Sequence, residues 1–273
     1  MPAVTRYRIV VRGGHPRAAS SAPSRLLPVF DMPFVPRSAC VLVLGVACLT
    51  GAAADPAPAR PDRHPELRRI SPAEEIWIDP RRKEVVVGGR IALDEGLIEV
   101  FACPERTKEH EAIVAVRGSA SLVHAALLAI GMEPGSPVSF DPDYKPATGP
   151  VVRIRMRWTD AAGEPQEANA RDWVRNTRTR EPLASDWVFA GSAFWKDPQD
   201  GTEHYQADGG DFICVSNFPT ATLDLPIESS QSNEALLFEA FAGRVPPRDT
   251  DVEMVLSAEP KGADDRQAPP TRQ

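Results

Sequence analysis

Val151-Val-Arg-Ile-Arg-Met-Arg-Trp158 sets Val152, Ile154, Met156 and Trp158 against arginines at 153, 155 and 157. Side chains of a strand point alternately to its two faces, so this stretch reads as a strand with one face in a core and the other wet. Similar short segments surround it, separated by Pro, Gly and Asp. Downstream come residues 167–171, then 186–195 facing 203–206 across a polar loop, then 211–216, and a closing strand over 251–256. Upstream, residues 75–79 and 84–87 form a hairpin candidate around Pro80-Arg-Arg-Lys83, and Gly88-Gly89 reads as a second tight turn into residues 90–93. Residues 97–103 and 111–117 contain runs apolar on both faces, as central strands do. Residues 138–140 read as a further short strand.

One helix is well signalled. Ser119 can cap it, Leu122, Val123, Ala126, Leu127 and Ile130 recur at helical spacing, and Gly131 can end it. A second helix is expected over residues 234–241. The expected fold is therefore α+β, a single domain over residues 70–257 with one mixed, mainly antiparallel sheet and about two helices.

The ends read differently. Arg37, an apolar run over residues 39–49 and Ala52-Ala53-Ala54 follow the order of a secretory signal. A membrane-spanning helix needs roughly 20 apolar residues, and this run is little more than half that, so cleavage near Ala54 and no retained anchor are expected. Residues 32–54 are read as the signal, residues 1–31 as a non-folded extension ahead of a start at Met32, and residues 55–69 and 258–273 as a disordered linker and tail. The expected location is the periplasm or cell envelope.

The whole chain carries 31 basic and 38 acidic residues, a net charge of −7. Loss of residues 1–54 would leave 25 basic against 37 acidic residues, about −12. An acidic surface disfavours nucleic acid and anionic membranes, which need clustered Lys and Arg. Arg81-Arg82-Lys83 is a short run, and Arg68-Arg69 reads as solvated. No phosphate-cradling glycine loop, Gly-x-Ser-x-Gly elbow or dinucleotide fingerprint occurs.

The densest polar cluster is Cys103-Pro-Glu-Arg-Thr-Lys-Glu-His-Glu111. A thiol on a strand end near a histidine is a candidate nucleophile with its base, so Cys103, His110 and Glu111 are candidate catalytic residues. His110, Glu111 and His124 are alternatively candidate ligands for zinc. Cys103 and Cys214 are the cysteines left after the signal, and an exported protein permits a disulfide between them. Trp187, Trp195, Tyr205 and Asp211 fall within one short region and are candidate contacts for an extended ligand.

The cluster at 101–112, with His124-Ala-Ala-Leu-Leu-Ala129, Trp187-Val-Phe-Ala-Gly-Ser192 and Gly209-Gly-Asp-Phe-Ile-Cys-Val-Ser-Asn217, resembles the YdjY-domain family of bacterial proteins, in a form similar to that abundant in planctomycetes. The resemblance spans the whole expected domain and implies no established activity. Some members carry a ferredoxin-like label, but two cysteines cannot hold an ordinary iron–sulfur cluster. The functional expectation is a non-enzymatic envelope protein that binds a peptide, glycan or protein, and the alternative is a thiol-dependent or metal-assisted hydrolase. Convergence of Cys103, His110, Glu111 and His124 in one open pocket would favour the enzyme, and their scattering the binding module.

Overall fold

A computed structural model describes residues 58–229 and 236–258. The expected extension and signal, residues 55–57 of the expected linker and the tail beyond residue 258 lie outside the described residues. In chain order the strands are β1 (Arg68–Arg69), β2 (Ile76–Asp79), β3 (Glu84–Ile91), β4 (Gly96–Leu97), β5 (Val100–Pro104), β6 (Ala112–Val116), β7 (Val151–Thr159), β8 (Pro165–Asn169), β9 (Val174–Asn176), β10 (Trp187–Phe189), β11 (Phe194–Lys196), β12 (Glu203–Tyr205), β13 (Ile213–Cys214), β14 (Leu223–Asp224), β15 (Phe238–Ala240) and β16 (Asp251–Ala258). One α-helix, α1 (Ala120–Ala129), follows β6.

Eight strands close into a barrel in the order β3-β16-β7-β10-β14-β13-β5-β6, with β6 returning to β3. Its pairings are antiparallel except β5–β6 and β13–β14. The expected mainly antiparallel sheet is thus present, but it is closed rather than open. Gly88 and Gly89 show why. They make no turn and lie inside β3, at its seam with β6. A Cβ at Gly89 would stand 2.7 Å from the Ala115 carbonyl oxygen, and one at Gly88 would stand 2.2 Å from Glu75 Oε2. Close approach, of the Ala115 backbone at Gly89 and of the Glu75 side chain at Gly88, rather than chain reversal, demands these glycines.

Apolar side chains from all eight barrel strands meet in one cluster, including Val85, Met254, Ile154, Trp187, Leu223, Ile213, Phe101 and Val114. The alternating stretch does as its pattern requires: Val152, Ile154 and Met156 are buried in this core. Separate from this core are three small clusters, around Val100 and Cys214, around Val188, and around Trp77 and Val255. α1 adds Val123, Ala126 and Leu127 to the main core, while Ala125, Leu128 and Ala129 are exposed. Ser119 caps it, its hydroxyl accepting from the Leu122 amide at 3.4 Å.

α1 is the sole α-helix among the described residues, so the expectation of about two helices is corrected. Residues 238–240 form β15, paired with β4 and β9 in a three-stranded sheet. Phe238 and Ala240 are buried while Glu239 between them receives Arg175 Nε at 2.8 Å and Arg180 Nη1 at 2.6 Å. A short apolar run fits either period, and here the alternating one wins. The expected linker also differs from Pro58 onward, where it lies against the barrel. Asp62 Oδ1 accepts from the Trp77 indole at 2.8 Å, His64 Nε2 meets Glu253 at 2.7 Å, and Arg60 meets Glu105 at 2.9 Å.

Candidate functional site

The loop that follows β5 is organised by Lys108. Its Nζ lies 3.1 Å from Glu111 Oε1 and 3.1 Å from Asp211 Oδ1, and 4.7 Å from the centre of the Phe218 ring. Gly210, in the left-handed region at φ +133°, makes room for the lysine stem: a Cβ there would stand 2.5 Å from Lys108 Cγ. Paired carboxylates hold the ammonium protonated, raising its pKa above the ordinary lysine value despite burial. Nearby Glu99 is shifted upward by burial and by the charge of Glu111. A built-in cation therefore occupies the place among these acids that a metal ion would take, and it ties the β5–β6 connection to the loop after residue 209.

A second polar network adjoins it. The Asp211 carboxylate accepts from the Thr220 hydroxyl, and the Thr220 carbonyl accepts from Ser192 Oγ at 2.6 Å. Tyr205 OH donates to the Gly191 carbonyl at 3.0 Å, which leaves its oxygen to accept from Thr222 Oγ1 at 3.0 Å and from an Nδ1–H of His124 at 2.8 Å. Burial pushes the Tyr205 phenol up to about 12 and the His124 imidazole below its ordinary value. The His124 ring is wedged edge-on against Phe189 and Tyr205, at centroid distances of 4.9 and 5.4 Å.

The candidate catalytic and metal residues scatter. Cys103 is fully buried, and that burial pushes its thiol up to about 11, far from a thiolate at neutral pH. His110 is 78% exposed on a 3-10 turn, 3.9 Å from Glu111, whose other oxygen holds Lys108. His124 belongs to the Tyr205 network on α1. The expected zinc set of His110, Glu111 and His124 is thus not assembled, and among the described residues no three His, Cys, Asp or Glu side chains group to hold a metal. The expected disulfide is not formed either. Cys103 and Cys214 are free thiols that share one small cluster separate from the main core.

The expected ligand contacts divide in the same way. Trp187 is fully buried in the barrel and donates its indole N–H to the Cys214 carbonyl at 2.8 Å. Asp211 is held by Lys108 and Thr220. Trp195 is exposed on β11, which among the described residues pairs only with β12, and Phe194 next to it in the chain is 67% exposed. The Phe194 ring rests on Tyr205 at 5.2 Å and the Trp195 ring on His204 at 5.5 Å. Phe194, Tyr205 and His124 thereby link the hairpin to α1, whose exposed face of Ala125, Leu128 and Ala129 is apolar.

The family model of the YdjY domain matches residues 76–257. The chain belongs to the YdjY domain family. No curated protein and no solved structure matches it. The YdjY match begins at the first residue of β2 and ends one residue before the end of β16, so it covers the whole barrel. Within this YdjY domain the polar run at 103–111 works as a clasp. Lys108 was visible in it, flanked by Glu109 and Glu111, but only its Cys, His and Glu side chains matched a familiar chemistry. Asp224, on β14, was also missed. It is fully buried, lies between two leucines in the chain, and accepts from the Leu225 amide and Asn217 Nδ2.

Proposed function

We infer that this YdjY protein is an exported, non-enzymatic binding module whose β11–β12 hairpin takes up an extended segment of a protein partner. One observation carries the reading: Phe194 and Trp195, 67% and 47% exposed, are consecutive on β11 and present an aromatic ring on each face of a two-stranded sheet whose outer edges have no partner strand among the described residues. Exposed edge strands rich in aromatics invite a further strand, and proteins blunt them unless the edge is used. Asp197, Asp200 and Glu203 stand at the hairpin's far end against one lysine, Lys196, which is paired across the strands with Glu203, and this acidic excess favours a partner segment with basic residues. The scattering of Cys103, His110, Glu111 and His124 removes the main support for a hydrolase. Export rests on Arg37, the apolar run and Ala52–Ala54 ahead of the domain.

Selection from a displayed library of random peptides tests the binding reading. Peptides carrying aromatic and basic residues should be enriched on the wild-type protein and lost on the Phe194→Ala/Trp195→Ala variant. Enrichment that is indifferent to both side chains, or binding to a glycan array with none to peptides, would overturn it. Amino-terminal sequencing of the secreted protein should begin near Asp55; an intact Met1 terminus from the cytosol would refute export.

A further inference from the structure

Two basic runs that lie apart in the chain meet on the outer face of the barrel. The antiparallel register of β1 and β2 pairs Arg68 with Ile78 and so brings Arg68 beside the turn that leads into β3. Asp79 Oδ1 shapes that turn by accepting from the amides of Arg81 at 2.9 Å and Arg82 at 3.0 Å. Lys83 completes it in the left-handed region at φ 54°. A cavity of about 770 Å³ opens there, and Arg68, Arg81, Arg82 and Arg157 line it.

The acids of the same cavity are already engaged. Glu66 meets His64 Nδ1 at 3.2 Å, Glu84 receives Arg155 Nη2 at 2.5 Å, and Asp79 serves the two turn amides. Arg157 itself pairs with Glu167 at 2.9 Å. The guanidiniums of Arg68, Arg81 and Arg82 make no side-chain hydrogen bond or ion pair among the described residues. Three fork-shaped donors with fixed charge thus border one cavity; the Asp79 carboxylate faces the charges of Arg81 and Arg82 there without a direct ion pair, and the cationic excess stands on a chain that is acidic as a whole.

We propose that this cavity binds a phosphate-bearing ligand, with Arg68, Arg81 and Arg82 donating to its oxygens. A guanidinium presents paired N–H groups that match phosphate in geometry and charge. The volume lies within the range of small-ligand sites. This site is separate from the hairpin, and its failure would leave the hairpin reading intact. The phosphate could belong to a soluble ester or to a lipid headgroup, and both present the same oxygens.

Calorimetric titration of the full chain with inorganic pyrophosphate tests the proposal, alongside co-sedimentation with phosphatidylglycerol vesicles. Pyrophosphate should bind the wild type, bind at least tenfold more weakly to Arg81→Gln/Arg82→Gln and to Arg68→Gln, and be unaffected in Arg178→Gln, an exposed arginine outside the cavity. Binding should also weaken as salt is raised. Unchanged melting curves would show that the variants still fold. Vesicle binding lost in the same variants would assign the phosphate to a lipid; pyrophosphate binding without vesicle binding would assign it to a soluble ligand. Equal binding of both probes by wild type and variants, or binding of neither probe to the wild type, would overturn the site.

Discussion

Asp224→Asn should make the protein more stable above neutral pH and leave it nearly unchanged in mild acid. Asp224 is fully buried on β14, where its Oδ1 accepts from the Leu225 amide at 2.7 Å and from Asn217 Nδ2 at 3.2 Å. Its Oδ2 is buried with no partner, as is the hydroxyl of Tyr144, which is raised by burial and then by the nearby charge on Asp224. Burial, with some repulsion from Asp211, raises this carboxyl from 3.8 to about 7. A carboxyl whose folded pKa exceeds its unfolded value favours the folded state only while protonated. Its contribution is therefore full below about pH 4 and is lost as pH climbs through 7. At about 1.4 kcal/mol per pH unit, the difference amounts to roughly 4 kcal/mol at pH 8. Asparagine keeps the Oδ1 acceptor and carries no charge. Thermal unfolding followed by circular dichroism from pH 4 to 8.5 should show the two proteins melting together at pH 4. The variant should melt higher by roughly 8–16 °C at pH 8, at about 2–4 °C per kcal/mol for a domain of this size. A gap that stays constant with pH, or one that opens only in acid, would refute the reasoning.

Lys108→Met should leave Glu111 and Asp211 half-buried without their cation, at a cost of about 2 kcal/mol in denaturant unfolding; a double-mutant cycle with Asp211→Asn should recover part of it. Gly89→Ala should force apart the β3–β6 seam, where the new Cβ would meet the Ala115 carbonyl at 2.7 Å, and lower stability by roughly 1–3 kcal/mol. Wild-type melting by Gly89→Ala would argue against a closed barrel. Because Cys103 is buried and shifted to about 11, and Cys214 is buried beyond it, iodoacetamide at pH 8 should leave both unmodified until the protein unfolds. Rapid native labelling of Cys103 would revive the thiol mechanism.

The elements legible in the sequence are those whose pattern is local. Val152, Ile154 and Met156 alternate with arginines because β7 has one face in the barrel, and Ser119 caps α1 by a bond three residues long. What was not legible depends on partners distant in the chain. Barrel closure rests on Gly89 meeting Ala115 and on β16 pairing both β3 and β7. Strand β15 over residues 238–240 owes its period to Arg175 and Arg180, which hold Glu239 outside. Residues 58–64 looked like linker because Pro, Arg and Asp dominate them, yet Asp62 and His64 find Trp77 and Glu253. At the site, Cys103, His110 and Glu111 drew attention as chemistry, whereas the structure uses Lys108 to hold Glu111 and buries the thiol. The exposed Trp195 and the buried Trp187 could not be told apart by spacing, since left-handed backbone at Gly191 and Ser192 breaks the strand period between β10 and β11.

Amide hydrogen exchange tests the central claim most directly, comparing the free protein with the protein saturated by a library-selected peptide. If an extended segment pairs with the hairpin, the amides of residues 194–196 or 203–205 should exchange at least tenfold more slowly in the complex, and those of the barrel should be unchanged. Protection confined to other surfaces, with residues 194–205 exchanging as in the free protein, would contradict the account.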